Sequence, residues 1–194
     1  MRLERSGEAG PGPGTAVGLV PTEGRGSLPF ALLHGESLVA VASWALGEAG
    51  VELLDFDESW ADVQAHECAL VIHDPLCPGT PVSFLAEAVQ AAVSGGCVVV
   101  GVRPVTDTVV AVDEPAGLVG APVDRAGLVA VASPVVLPAG VVAALADWPA
   151  GRESTADLVD ALRQGHEVVL LEAPPTARRV LDESDLRLLE ALSG

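Results

Sequence analysis

A glycine-rich loop is the first segment of the chain whose residue types could do chemistry. Residues 21–27 read Pro-Thr-Glu-Gly-Arg-Gly-Ser and follow a short apolar run, residues 16–20, that predicts a buried strand. Glycine lets the backbone turn its N–H groups toward a phosphate. The loop has neither the lysine of a Walker loop nor the spacing of a dinucleotide fingerprint. A structural turn is therefore the alternative, and the pattern alone favours it.

An aspartate stands at the end of a second predicted buried strand. Residues 68–72, Cys-Ala-Leu-Val-Ile, are apolar throughout and lead directly into His73 and Asp74. A carboxylate at the carboxyl end of a strand can coordinate Mg²⁺ against the phosphates of a nucleotide. The alternative is a strand-end cap, because Asp followed by Pro75 is a common way to leave a sheet.

Histidine and cysteine side chains near the same strand raise the question of zinc. His66, Cys68, His73 and Cys77 lie within twelve residues of one another, but they straddle a strand and its exit loop and lack the tight paired spacing of tetrahedral sites. With Cys97 the cysteines are odd in number, and the chain shows no export signal. Reduced thiols are therefore predicted rather than a disulfide framework or a zinc site.

Strands and helices alternate along most of the sequence. Apolar runs predict strands at residues 16–20, 51–56, 68–72, 97–102 and 167–172. Helical spacing predicts helices at residues 37–47, 58–67, 83–94, 138–146, 155–163 and 183–192, the last with Asp182 as its cap. This alternation predicts an α/β fold of three layers, with a mostly parallel sheet between helices on both faces. Ligands of such sheets bind beyond the carboxyl ends of the strands.

The regular alternation breaks near the middle of the chain. Residues 108–113 and 128–132 flank the turn-rich residues 114–117 and predict an extended ribbon rather than a part of the parallel core. Residues 1–14 are rich in glycine and proline and predict a flexible tail. No internal repeat divides the remainder, so residues 15–194 are predicted to form a single domain.

The charge of the chain restricts its partners. Its 194 residues carry 10 basic side chains, all of them arginine, against 27 acidic ones, which gives a formal charge of −17. A protein with this negative charge repels polyanions. DNA, RNA and acidic membrane surfaces are therefore not expected as partners. A phosphate site must be built locally from arginine, backbone N–H groups or a divalent metal. No apolar run approaches the roughly 18 residues of a membrane-spanning helix, and a cytoplasmic protein is expected.

Six segments taken in order resemble one enzyme family. They are Leu19-Val-Pro-Thr-Glu-Gly-Arg-Gly26, His73-Asp-Pro-Leu-Cys-Pro78, Pro104-Val-Thr-Asp-Thr108, Val123-Asp-Arg-Ala-Gly-Leu128, Thr155-Ala-Asp-Leu-Val159 and Asp182-Glu-Ser-Asp-Leu186. The series resembles the 2-C-methyl-D-erythritol 4-phosphate cytidylyltransferases of non-mevalonate isoprenoid biosynthesis, from about residue 17 to the end. It implies the Rossmann-like fold of nucleotide-diphospho-sugar transferases with a β-ribbon arm.

The resemblance implies a nucleotidyl transfer. In that family methylerythritol phosphate attacks the α-phosphorus of CTP, and pyrophosphate leaves. By the resemblance, Asp74 would hold Mg²⁺, and Asp107, Thr108 and Arg125 would face the phosphorylated polyol. Residues 106–134 would form the arm of a homodimer. The residues implied to bind the nucleotide are those of the loop: Pro21, Thr22, Glu23, Gly24, Arg25 and Gly26.

The chain departs from the family at its basic positions. The loop is shortened, so that Phe30 stands where a lysine belongs, and Cys77 stands where the family has an arginine. Only residues 57–67 fill the interval in which the family carries a further basic loop. Each lost charge-assisted contact should cost on the order of 2–4 kcal/mol of transition-state stabilisation.

Two arginines are the candidates to replace the missing charges. Arg179 falls where the family has a late lysine, although its planar fork is not equivalent to an ammonium, and Ala177 replaces the neighbouring asparagine. Arg25 is the only cation left in the loop. Arg25 and Arg179 are therefore the candidate catalytic residues.

These observations leave more than one hypothesis. The first is a divergent homologue that keeps the fold while its catalysis is weakened or lost, acting as a binding, regulatory or assembly partner. The alternative is an active cytidylyltransferase with a trimmed site, or a nucleotidyltransferase for another substrate, which would use CTP, a phosphorylated polyol and Mg²⁺. The residues favour the first, because the charged groups changed while the apolar scaffold stayed intact.

Overall fold

A six-stranded mixed sheet is the centre of the molecule. The computed structural model describes residues 15–55, 57–113, 115–149 and 153–193. The predicted tail at residues 1–14, Phe56 at the end of the predicted second strand, and Glu114 in the predicted turn lie outside these residues. The strands are β1 (Ala16–Leu19), β2 (Leu32–Leu33), β3 (Glu36–Ser37), β4 (Glu52–Leu53), β5 (Ala69–Ile72), β6 (Val98–Pro104), β7 (Val110–Asp113), β8 (Leu118–Pro122), β9 (Val129–Leu137) and β10 (Val168–Glu172).

The topology of the sheet is mostly parallel. Its strand order is β10-β6-β9-β5-β1-β4. β1 pairs in parallel with β4 and β5, and β10 pairs in parallel with β6. β9 runs antiparallel to both of its neighbours, β5 and β6. The carboxyl ends of the other five strands therefore meet at one edge of the sheet, as the predicted α/β class requires.

Helices cover both faces of the sheet. They are α1 (Leu38–Glu48), α2 (Trp60–Ala65), α3 (Val82–Gly95), α4 (Ala139–Ala144), α5 (Thr155–Leu162) and α6 (Glu183–Ser193). Val98 and Val100 of β6 pack with α2, α4 and α5, whereas Val99 between them packs with α1 and α3. Because alternate residues of a strand point to opposite faces, this division confirms the predicted three layers.

The predicted ends of several helices are confirmed by capping contacts. The side chain of Ser37 accepts a hydrogen bond of 3.2 Å from the backbone N–H of Ala40 and begins α1. Gly96 ends α3 in the left-handed conformation, with φ of 65°. Asp182 Oδ1 accepts from the backbone N–H groups of Ser184 and Asp185 at the start of α6.

The prediction of a ribbon that includes residues 128–132 is wrong. Residues 129–132 belong to β9, which continues to Leu137 and lies between β5 and β6 in the main sheet. The ribbon is formed instead by β7 and β8, whose residues are all exposed. Pro134 lies within β9. Because proline is rare in central strands, the sequence does not predict a continuous strand across this position.

The region between β1 and β5 differs from its prediction in length. The predicted strand over residues 51–56 is reduced to β4, and the predicted helix over residues 58–67 to α2. A short hairpin of β2 and β3, which was not predicted, precedes α1. Among the helices that the structure describes, none combines the length and the apolar character needed to cross a bilayer.

Candidate functional site

Asp74 lies at the carboxyl edge of the sheet, where β5 ends. The backbone N–H of His73 donates to Leu19 O at 2.9 Å and continues the pairing of β5 with β1. The backbone N–H of Asp74 then donates to Ser133 Oγ of β9, also at 2.9 Å. These two neighbours fix the strand end, so the Asp74 side chain is 1% exposed.

Four donors of the described residues surround the carboxylate of Asp74. Oδ1 accepts from Arg25 Nε and from the backbone N–H of Leu76, both at 3.0 Å. Oδ2 accepts from Thr155 Oγ1 at 2.8 Å and from Arg179 Nη1. Burial alone would raise the pKa of Asp74, but the charges of Arg179 and Arg25 outweigh burial and hold that pKa below its ordinary value. Arg25, Asp74, Thr155 and Arg179 are called the arginine cluster below.

The glycine-rich loop delivers Arg25 to this cluster. Gly24 has a φ of +72°, and a Cβ placed on it would lie 2.5 Å from the backbone oxygen of Glu153. Glycine is therefore required both for the turn and for the close approach of the two segments. Arg25 Nη1 donates to the backbone oxygens of Glu23 at 2.7 Å and Glu153 at 3.2 Å. With Nε on Asp74, its side chain is 1% exposed.

Arg179 reaches the same carboxylate from the segment before α6. The backbone N–H of Val180 donates to Leu76 O at 2.7 Å. A Cβ on Gly79 would collide with the backbone oxygen of Thr176, so the loop after Asp74 and the segment before Arg179 touch directly. Arg179 remains 33% exposed, unlike Arg25.

His73 lies beneath the cluster and is 1% exposed. Its Nδ1 is 2.6 Å from Ser133 Oγ. Because that oxygen already accepts the N–H of Asp74, its hydroxyl proton is available to Nδ1. This fits a neutral imidazole, and burial lowers the pKa of His73 to about 4 even though the nearby charge of Asp74 works in the opposite direction.

Cys77 takes the place that the resemblance assigns to an arginine, and it is fully buried. Burial raises the pKa of its thiol to about 12. The thiol is therefore protonated and supplies no charge to the site. The buried surroundings of Cys77 suit an uncharged side chain. The site therefore has no cation at this position, as the sequence indicates.

Two grooves lie on either side of the loop. The first, called the arginine groove, has a volume of about 500 Å³ and is lined by Gly24, Arg25, Ser27, Leu28, Ala31, Leu76, Arg179, Val180, Leu181, Asp182 and Glu183. The second, called the acidic groove, has a volume of about 310 Å³ and is lined by Leu19, Val20, Pro21, Thr22, Glu23, Asp55, Glu58 and Trp148. The predicted nucleotide loop is thus divided between the two.

The residues predicted to bind the second substrate lie near a separate groove. Arg125 lines this groove of about 440 Å³ together with Asp124 and Glu172, and its Nη1 donates to the backbone oxygen of Thr106. Asp107 and Thr108 are exposed in the turn before β7. The structure thus joins Arg25, Asp74 and Arg179 in direct contact, and it places Arg125 at a different groove.

The donor set at Asp74 does not suit Mg²⁺. Both oxygens of its carboxylate already accept hydrogen bonds from cationic or neutral donors. Within the described residues, no group of three or more His, Cys, Asp and Glu side chains is arranged to hold a metal ion. That finding covers His66, Cys68, His73 and Cys77 as well. Mg²⁺ favours several oxygen ligands, and the surroundings of Asp74 supply hydrogen-bond donors instead.

Thr155 and Ser133 are site residues to which the sequence assigned no role. Thr155 is the first residue of α5, and its hydroxyl donates to Asp74 from the amino-terminal end of that helix. Ser133 binds the backbone of Asp74 from β9. They are 81 and 59 residues from Asp74 in the sequence. The only signal was the segment beginning at Thr155, which belongs to the resemblance described above.

No family model matches the chain, but solved structures do. The 2-C-methyl-D-erythritol 4-phosphate cytidylyltransferase of Thermus thermophilus is 22% identical, with a TM-score of 0.66 over 92% of this chain and 98% of that one. The 4-diphosphocytidyl-2C-methyl-D-erythritol synthase of Anaerococcus prevotii is 10% identical, with a TM-score of 0.63 over 93% and 99%. The cytidylyltransferase of Francisella tularensis is 12% identical, with a TM-score of 0.61 over 90% and 97%.

The chain has the fold of these cytidylyltransferases. The match covers nearly the whole of each solved chain, so the predicted resemblance is confirmed at the level of the fold. At these identities the sheet and its helices are the shared feature. Function must be argued from the site itself, because one fold serves many activities.

Proposed function

We propose that this chain is a divergent, non-catalytic homologue of the 2-C-methyl-D-erythritol 4-phosphate cytidylyltransferases, which keeps the fold and acts as a binding or assembly partner. The observation that carries this proposal is the contact of Asp74 with both Arg25 and Arg179. Nucleotidyl transfer depends on cations that neutralise the phosphates. Here the two candidate cations neutralise a carboxylate of the protein instead.

The acidic groove supports the same proposal. Its described lining includes the carboxylates of Glu23, Asp55 and Glu58 and no basic side chain. Like charges within a few ångströms of one another repel, and they do so most strongly where water is partly excluded. A triphosphate bound against the loop would lie beside these groups, so the groove opposes a nucleotide polyanion.

The alternative is an active nucleotidyltransferase, and one observation favours it. The loop, Asp74 and Arg179 come from positions far apart in the sequence and meet at the carboxyl edge of the sheet, where ligands of such folds bind. In an active enzyme Arg25 and Arg179 would leave Asp74 and face the phosphates of CTP, while a phosphorylated polyol would occupy the groove of Arg125.

A homodimer is part of the proposal. All described residues of the β7–β8 ribbon are exposed, including Val112 at 60%, Leu118 at 64% and Val119 at 74%. An exposed apolar ribbon favours burial against another surface, and residues 106–134 are the arm implied by the resemblance. The mass of the protein in solution tests this part, and a monomer at micromolar concentration would contradict it.

A transferase assay tests the main proposal. The purified protein is incubated with CTP, methylerythritol phosphate and Mg²⁺, and pyrophosphate release is measured beside an active cytidylyltransferase. We expect no release, and no rise in melting temperature on addition of CTP. Turnover that Asp74→Ala abolishes would overturn the proposal and establish the alternative.

A further inference from the structure

Two guanidinium groups share one carboxylate at the edge of the arginine groove. Arg25 and Arg179 both line that groove, yet both donate to Asp74. Their accessibility differs, because the side chain of Arg25 is 1% exposed and that of Arg179 is 33% exposed. Arg179 is therefore the cation that a ligand in the groove can reach.

We propose that Asp74 is an internal anion that occupies Arg179, so that the arginine groove binds a polyphosphate only when this carboxylate is removed. The inference rests on the proposed function, in which the site has no transferase activity. A carboxylate and a phosphate oxygen offer a guanidinium the same charge-assisted hydrogen bond. Asp74 is attached to the sheet and already oriented, so it competes with a diffusing anion at a large advantage.

The balance of charges in the arginine groove explains why anion binding depends on Arg179. Asp182 and Glu183 also line the groove, and both repel an anion. With Asp74 charged, the two arginines are opposed by three carboxylates, and the site has no net attraction for a polyphosphate. Removing the charge of Asp74 leaves two cations against two carboxylates and takes away the carboxylate to which Arg179 donates.

Calorimetry with pyrophosphate in the absence of divalent metal tests the proposal. Asp74→Asn keeps the shape of the side chain and removes its charge. We expect the variant to bind pyrophosphate roughly tenfold or more tightly than the native protein. Adding Arg179→Gln should abolish the gain. Arg178→Gln is the matched control, because Arg178 pairs with Asp185 outside the groove, and adding it should preserve the gain.

A second variant keeps the test informative if Asp74→Asn does not fold. Asp74→Asn combined with Arg25→Gln removes both members of the buried pair, so no uncompensated buried charge remains while Arg179 is still released. Circular dichroism checks the fold of each variant. Arg179 is released in the double variant as well, but the groove has lost the charge of Arg25. A smaller gain in pyrophosphate affinity is therefore expected, and a folded double variant with no gain would overturn the proposal.

The outcomes separate this inference from the proposed function. If no variant binds pyrophosphate better than the native protein, the inference fails while the absence of transferase activity still stands. A gain that survives Arg179→Gln also overturns the inference, because the anion is then bound elsewhere. Release of pyrophosphate from CTP by the native protein would instead overturn the proposed function.

Discussion

The arginine groove and the acidic groove share one loop but differ in the burial and the pairing of their charged side chains. In the arginine groove, Arg25 and Arg179 are paired with a buried carboxylate. In the acidic groove, Glu58 keeps its contacts at the surface, where its side chain is 21% exposed and 3.3 Å from His66 Nε2. Arg25 and Asp74 of the first groove are part of the folded interior, whereas Glu23 and Asp55 of the second are exposed.

This difference predicts which charges the fold can lose without losing stability. A solvated charge can change with little effect on folding, because water screens it. A buried charge must keep its partner, because an unpaired buried ion is expensive. We therefore expect the arginine cluster to support the fold, and we expect the exposed charges of the acidic groove to be replaceable with little effect on stability.

The largest expected effect breaks the arginine cluster. Asp74→Ala leaves Arg25 buried without its partner, and we expect the free energy of unfolding to fall by about 3–5 kcal/mol. Urea denaturation at neutral pH measures it. Asp160→Ala is the control, because Asp160 pairs with Arg163 where both side chains are more than 60% exposed, and its loss should cost under about 1 kcal/mol. Equal losses in the two variants would contradict the distinction between buried and exposed charge pairs.

The sequence identified three members of the arginine cluster, Arg25, Asp74 and Arg179, but it did not predict the contacts between them. Buried strands end at predictable positions, so Asp74 at the end of β5 and the loop after β1 could be located from apolar runs and glycines. Residue patterns carry no information on which long-range partner a side chain chooses. Arg25 and Asp74 are 49 residues apart; each was predicted to bind a ligand, and the contact between them was not predicted.

His73 provides the next test, because its neutral imidazole supports the backbone of the cluster through Ser133. An unfolded histidine takes up a proton below its ordinary pKa of 6.5, whereas folded His73 does so only below about 4. The unfolded state therefore binds more protons between these values, and stability should fall by about 3 kcal/mol as the pH drops from 6.5 to 4. Urea denaturation across this range measures the loss.

A variant isolates the contribution of His73 from that of the carboxylates. His73→Asn removes the titrating group, so the decline between pH 6.5 and 4 should be smaller than in the native protein by about the same 3 kcal/mol. Direct titration of the imidazole by NMR provides the second measurement. An imidazole signal of His73 that titrates with a pKa near 6.5 would contradict the prediction.

The loop that divides the grooves gives a smaller effect. Gly24→Ala places a Cβ in the left-handed region and 2.5 Å from the backbone oxygen of Glu153, so we expect a loss of about 1–3 kcal/mol. Gly26→Ala is the matched control, because Gly26 has a φ of +60° but no atom within 4 Å of its added Cβ. The Gly24 variant should be the less stable of the two by thermal denaturation, and the reverse order would show that the contact with Glu153 is not tight.

β9 shows a different limit of sequence prediction. Val135 and Leu137 are fully buried in a strand that lies between β5 and β6, yet the alternating residues 128–132 after a turn-rich stretch suggested a ribbon. This central strand tolerates its proline because the pairing with β6 is irregular between Val100 and Val102. Such an irregularity depends on the pairing with the neighbouring strand, so the residues of β9 alone do not predict it.

The smallest expected effect concerns the acidic groove. Glu58 Oε1 accepts a hydrogen bond of 3.0 Å from the backbone N–H of Asp55, and Glu58→Gln keeps an oxygen for that contact while it removes the charge. We expect the free energy of unfolding to change by less than about 0.5 kcal/mol, about the same as for Glu87→Gln on the exposed face of α3. A loss above about 1 kcal/mol in urea would show that this groove, too, depends on its charges for folding, because only a desolvated ion pair costs that much when one partner is neutralised.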